Sequence, residues 1–262
     1  MSVRTKRGSL TAVGIGIRSP AQATFEAASR IQDADKVFSL VSDPVALYWV
    51  HSLNVNTDTL SVHYAEGKNR SETYREMVDR ITHAVRDGHR VCAVSYGHPG
   101  VAAFPFHEAV RRLRAEGCAA EMLAGVSSED CLFAELGIDP TNGGCLSYEA
   151  TDFLLRRRLV DPSANLILWQ VGVIAEPSYK NDPLAWNRDG LQVLVERLLE
   201  VYPADHEVVV YETSRLSALE PTIERVALSG LPKARVTAMA TLFVPPAVTA
   251  PLDEAMMQRL GI

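Results

Sequence analysis

The sequence predicts an α/β protein of two domains, the first built on a mostly parallel sheet and the second on a mixed one. Three observations carry this. In the first half, short apolar runs alternate with longer amphipathic stretches, the pattern of strands joined by crossover helices. Glycine-bearing turns follow several of those runs, where the chain must reverse tightly. In the second half the strand-like runs have fewer helices between them, which favours mixed pairing.

Ser9 to Gly14 reads as the first strand. Pro20 to Ala34 reads as a helix, with Ser19 as N-cap and Pro20 at the first helical position. Lys36 to Val41 is a second strand. Asn69 to Arg86 is a helix, opened by Asn69 with Glu72 three residues on. Arg90 to Ser95 is a buried strand, and Val101 to Glu116 a helix closed by Gly117. Further on, Cys145 to Glu149 and Asn165 to Val171 read as strands, and Arg188 to Val201 as a helix. Glu207 to Tyr211, Thr222 to Leu228 and Arg235 to Val244 read as strands, the last ended by Pro245-Pro246. The expected organisation is a first domain over 1–122, a second over 123–246, and a tail over 247–262 with a short helix from Leu252 to Leu260.

Composition narrows the function classes. The formal charge of −6, from 26 basic and 32 acidic residues, argues against broad nucleic-acid binding, which needs a basic face. Cys92, Cys118, Cys131 and Cys145 lie far apart with no C-x-x-C pair, so no zinc site is expected and reduced cytoplasmic thiols are. The short basic start, Met1 to Gly8, has no long apolar run behind it, so neither a signal peptide nor a membrane span is expected.

Three loops stand out. Gly14-Ile15-Gly16 gives half of a dinucleotide fingerprint, but Ser19 occupies the third glycine position, so a tight strand-to-helix turn is the better reading. Tyr96-Gly97-His98-Pro99-Gly100 follows a central strand, where ligands of open α/β sheets bind. His98 there has no second ligand beside it, so a loop-ordering hydrogen bond or a cofactor contact is expected rather than a metal. In Gly125 to Asp130, Ser127 with Asp130 three positions on can cap a helix. Arg70 and Tyr74 are four apart on one helical face, with Tyr64 in the preceding loop. The trio is either a reactive cluster or a solvated face, since Glu72, Arg75, Glu76 and Asp79 surround it.

Taken together, these motifs are similar to those of a known superfamily. The stretch from Ser9 to Phe38, with its glycine turn, and the Tyr96 to Gly100 loop resemble the tetrapyrrole methylase superfamily. A closer resemblance is to its borosin-type peptide backbone α-N-methyltransferases. It is carried by Tyr64, Gly67, Lys68, Arg70 and Tyr74, by the segments 96–101, 125–140, 148–154 and 166–172, and by Thr241 to Pro246.

The resemblance implies a two-domain tetrapyrrole-methylase-like fold with the active-site cleft between the domains. It implies S-adenosyl-L-methionine as cofactor, S-adenosyl-L-homocysteine as product, and no metal. Cofactor contacts would fall on Tyr96, His98, Val101, Ser128, Gln170, Thr213, Ala240 and Thr241. Catalysis would fall on Tyr64, Arg70 and Tyr74, with Tyr96 beside the sulfonium, whose charge an aromatic face attracts. Fungal members continue into a segment bearing their own substrate, whereas this chain ends at Ile262. The expected substrate is therefore a separate ribosomally made precursor peptide, handled by a cytoplasmic homodimer that binds neither nucleic acid nor membrane.

The chemistry fits these residue types. An amide nitrogen is a poor nucleophile because its lone pair is delocalised, so a base and a donor for the oxygen charge are needed. A free tyrosine has a pKa of about 10, and a neighbouring arginine can lower it by roughly 1–3 units. Two alternatives remain at this level: methylation of a tetrapyrrole of the precorrin or uroporphyrinogen type, and a non-catalytic S-adenosylmethionine-binding scaffold.

Overall fold

The computed structural model describes residues 8–182, 188–216 and 218–262, with Arg188 described in its backbone only. The basic start before Gly8 lies outside the described residues. The chain forms two compact units. The first comprises Met1–Glu135 with two later returns, Pro177–Asn181 and Thr213–Glu220; the second takes the rest.

The first unit holds a five-stranded sheet of β1 (Ser9–Gly14), β2 (Lys36–Leu40), β3 (Thr57–Thr59), β4 (Arg90–Ser95) and β5 (Ala119–Met122). The order is β3-β2-β4-β1-β5 and every pairing is parallel. Alternation explains why both faces are covered. Leu10, Ala12, Phe38, Val91 and Ala93 point to one face, and Val13, Val37, Cys92 and Val94 to the other. The first face buries α3 (Arg70–Arg86) through Met77, Val78, Ile81 and Val85, and α4 (Phe104–Ala115) through Phe106, Ala109 and Leu113. The second buries α1 (Phe25–Asp33) through Ala27 and Ile31, and α2 (Pro44–Leu53) through Ala46 and Val50. Such two-sided burial is what near-continuous apolar strands require. Residue 122 closes β5, and the unit continues through α5 (Ser128–Leu136) to Glu135.

The second unit holds β6 (Cys145–Glu149), β7 (Asn165–Trp169), β8 (Glu207–Glu212), β9 (Thr222–Ala227) and β10 (Thr241–Val244), in the order β6-β7-β10-β8-β9. Only β6–β7 is parallel, so the mixed character holds. Its core gathers Phe153 of α6 (Ala150–Leu155), Leu191, Leu194 and Leu198 of α7 (Arg188–Leu198), and strand residues including Leu166, Val208 and Leu242. A last helix, α8 (Glu254–Leu260), has no buried residue.

Two expected elements are corrected. The first helix does not start at Pro20 with Ser19 as cap. Gln22 Oε1 accepts from the backbone of Ile17 and Arg18 (2.9 Å each), which ties this stretch into turns, and Thr24 caps the helix instead by accepting from Ala27. The last strand is shorter than 235–244, because residues 235–240 form a loop whose Thr237 carbonyl packs onto Gly172. A β-carbon on Gly172 would sit 1.9 Å from that oxygen, so only glycine fits. Among the described residues, no helix is long and apolar enough to cross a membrane.

Candidate active site

The carboxyl ends of β4, β1 and β5, three adjacent strands, each run into one of the glycine loops. The first two loops close on each other. Gly16 donates to the Gly97 carbonyl (3.3 Å) and Gly97 to that of Gly16 (2.8 Å), both residues in the left-handed region. A β-carbon on Gly14 would lie 2.1 Å from the Gly97 oxygen, and one on Gly125 would lie 3.1 Å from it. These glycines let three backbones meet at one edge of the sheet.

His98 orders its own loop: its Nδ1 accepts from the Gly100 amide at 2.8 Å. The neutral ring therefore carries its proton on Nε2. His107 Nε2 contacts the Gly100 carbonyl at 2.8 Å and holds the loop from the far side. Tyr96 and Val101 at the loop's two ends stay accessible, at 45% and 39% exposure. Ala102, just after Val101, is held at φ 51, a strained conformation for a residue with a β-carbon.

At α5, Ser127 and Asp130 make the expected reciprocal cap: Asp130 Oδ2 accepts from the Ser127 amide at 2.7 Å, and the Asp130 amide donates to Ser127 Oγ at 3.2 Å. Ser128 follows, half-buried in the first helical turn. Thr213 is buried, and its hydroxyl donates to Glu135 (3.2 Å), which also pairs with Arg18.

Asn69 caps α3 by accepting from Ser71, so Arg70 and Tyr74 rise from consecutive turns on one face. Tyr64 and Tyr74 both pack their rings against the first core, and Tyr74 stands 6.2 Å from the Phe104 ring. The structure brings Tyr64, Arg70, Tyr74 and Tyr96 into one interacting group. Burial, above all, pushes the Tyr64 phenol well above its ordinary range; Tyr74 and Tyr96 add to the rise, while the Arg70 guanidinium opposes it. The expectation that the arginine lowers a tyrosine here is corrected for Tyr64, because desolvation outweighs the charge.

In the second unit, Gln170 lies one residue past β7 and Ala240 one before β10. Continuing the Leu242–Leu168 register sets the two opposite each other, with Thr241 alongside. Gln170 is in the left-handed region at φ 60, and Ala240 and Thr241 are buried. These three therefore gather at one end of the second sheet.

Other singled-out residues have structural tasks. Trp49 packs against the first unit's core, and Trp169 Nε1 donates to Ser147 (2.7 Å). Arg156 and Arg158 share an ion pair with Asp152, and Arg157 pairs with Glu200. A charged depression lined by Lys36, Asp58 and Arg80 sits at the amino ends of the strands, where Asp58 already pairs with both cations at 2.8 Å. Among the described residues no group of three His, Cys, Asp or Glu side chains is placed to hold a metal.

The sequence reading missed Tyr179. Its ring stacks on Tyr64, with centroids 4.7 Å apart and planes at 29°. No local pattern around Pro177 to Asn181 signals this, since the pairing is made across a long stretch of chain.

An all-parallel sheet with glycine loops at its carboxyl edge and a second, mixed sheet defines a class, and residues 9–229 match the model of the tetrapyrrole (corrin/porphyrin) methylases. The chain belongs to that family. Within it, the chain is 41% identical over 259 residues to a methyltransferase/ribosomally synthesized type III borosin cyclic peptide precursor of Anomoporia bombycina, covering 97% of this chain and 30% of that protein. It is 40% identical over 265 residues to the methyltransferase/omphalotin A precursor of Omphalotus olearius, covering 100% of this chain and 63% of that one. The chain thus spans less than two thirds of the length of these relatives. Among solved structures, uroporphyrin-III-C-methyltransferase from Thermus thermophilus superposes with a TM-score of 0.65 at 20% identity, covering 95% of this chain and 99% of that one. Diphthine synthase superposes at 0.61 and 14% identity, covering 92% and 91%. These two likenesses are of fold.

Proposed function

We propose that this protein is an S-adenosylmethionine-dependent methyltransferase that α-N-methylates backbone amides of a separate ribosomally made precursor peptide. What supports the reading is that Tyr64 and Tyr74 pack against the same core, that Arg70 stands one turn from Tyr74 on α3, and that Tyr64 lies within electrostatic reach of Arg70, Tyr74 and Tyr96. Methylation of a ring carbon has no evident need for a guanidinium set between phenols. The relatives' names, which join a methyltransferase to a cyclic peptide precursor, support a peptide substrate.

The proposed cofactor contacts are Tyr96, His98, Val101, Ser128, Gln170, Thr213, Ala240 and Thr241. The residues present fit such a group: Tyr96 and Val101 leave an accessible aromatic and apolar surface at the carboxyl edge of the sheet. When bound, the cofactor supplies an electrophilic methyl on a sulfonium. The remaining work falls to the chain. Arg70 and the neutral Tyr64 phenol hold the amide oxygen as negative charge develops on it. A phenolate of this tyrosine group takes the amide proton as the nitrogen attacks the methyl. Tyr96 offers a ring face to the positive sulfur. The same proposal includes a cytoplasmic homodimer, with the precursor peptide as a partner distinct from the enzyme chain.

The test is mass spectrometry of the purified protein with cofactor and a synthetic core peptide. Successive increments of about one methylene on the peptide, mapped by fragmentation to backbone nitrogens, are expected. Modification of a uroporphyrinogen and of no peptide would shift the assignment to tetrapyrrole chemistry. Cofactor binding without any turnover would leave a scaffold.

A further inference from the structure

Tyr64 sits in a loop, and a loop phenol must be held still to act on an amide. The segment Pro177–Asn181, which belongs to the first unit, lies along this loop like a short strand. Gly67 donates to the Tyr179 carbonyl and Tyr179 to that of Lys68, both at 2.9 Å. Arg70 donates to Pro177 at 2.8 Å, and Asn69 bridges Ser178. The Asn181 amide donates to Glu66 Oε2 at 2.6 Å. On the other side, Lys68 Nζ reaches Glu76 Oε2 at 2.6 Å, and His63 Nδ1 meets the same oxygen at 2.9 Å. The backbone ladder fixes the height of the loop, but it does not fix the Tyr64 ring. Core packing and Tyr74 hold one side of that ring, and the stacked Tyr179 ring covers one of its faces.

We propose that Tyr179 is a positioning residue that sets the orientation and desolvation of the Tyr64 phenol through ring stacking. The inference rests on the proposed function in taking Tyr64 as a working group. Its own content is the dependence of Tyr64 on Tyr179. Stacking needs the ring and not the hydroxyl, so phenylalanine is expected to serve as well.

The experiment compares wild type, Tyr179→Phe, Tyr179→Ala and Tyr179→Leu, the last keeping apolar bulk if the alanine variant fails to fold. Turnover on the core peptide should fall about 10²-fold in the alanine and leucine variants, the size of effect a small misplacement brings. Peptide KM and cofactor Kd should stay within about threefold, as misplacement acts on kcat. The phenylalanine variant should keep wild-type turnover. In parallel, 3-fluorotyrosine placed at position 64 is followed by fluorine NMR. Its titration midpoint should move down in the alanine and leucine variants and stay put with phenylalanine. An unchanged fluorine titration across all variants overturns the proposal, and so does wild-type turnover in Tyr179→Ala. If the wild type methylates no peptide, the proposed function falls and the fluorine titration alone decides the role of Tyr179.

Discussion

Gly14 and Gly97 come so close that a single methyl group on the first would overlap the carbonyl oxygen of the second, at 2.1 Å. The obstacle is backbone on both sides, so no side chain can rotate away. This contact brings the loops after β1 and β4 together, and with them Tyr96 and His98. Gly14→Ala is therefore expected to cost about 1–3 kcal/mol, as overpacking does. It should also weaken cofactor binding by displacing the Tyr96 to Gly100 loop. Urea unfolding and calorimetric titration of the cofactor check the two effects; a variant of wild-type stability would mean the loops pack differently.

In the proposed reaction Arg70 holds the amide oxygen of the substrate and not the cofactor. Arg70→Ala should lower peptide methylation by about 10²–10³-fold, the range for losing one preorganised donor of this kind. The cofactor Kd should be unchanged within about twofold. Arg70→Lys should rescue poorly, because a point charge cannot reproduce a planar fork of donors. Single-turnover assays and calorimetry separate rate from binding, and an alanine variant with wild-type turnover would remove Arg70 from the reaction.

Cys92 lies in the centre of the first sheet, and burial pushes its thiol up to about 12 from 9.0. The folded state thus disfavours the thiolate. Its stabilising contribution is fully present below pH 9 and is lost as pH rises through about 12. Tyr202 acts in the same sense, raised by burial from 10.0 to about 12. The unfolding free energy should accordingly fall between about pH 9 and 12, and Cys92→Ala should flatten the start of that fall. In the native protein at pH 8, Cys92 should resist thiol reagents and react only on unfolding. Urea curves across pH and timed labelling with iodoacetamide test this; fast native labelling of Cys92 would contradict it.

Much of this architecture was legible because its causes are local. The strands Ser9–Gly14, Arg90–Ser95 and Cys145–Glu149 are read to the residue, since an apolar run bounded by turn residues has one low-energy use. The cap of α3 at Asn69 follows from side-chain chemistry within four residues. The helix α2 escaped notice although Asp43 caps it and Pro44 opens it. Its mixed apolar face shows little periodicity, and its place is decided by what it covers. The first helix start was misread for a similar reason. Ser19-Pro20 has the local form of a cap, but the Gln22 side chain, bonded back to Ile17 and Arg18, uses those residues for a turn.

By itself the sequence determined the class of fold, the three glycine loops and the placing of Arg70 and Tyr74 on one helical face, because capping, alternation and helical spacing act over a few residues. Tertiary structure alone decided that Gly14, Gly97 and Gly125 meet, and that Thr213 bonds Glu135. It also decided that Tyr179 covers Tyr64 and that burial outweighs Arg70 at the Tyr64 phenol. Each of these depends on segments far apart in the chain arriving at one place. Desolvation, which sets the state of the central phenol, is a property of everything packed around a group and is written in no short stretch of residues.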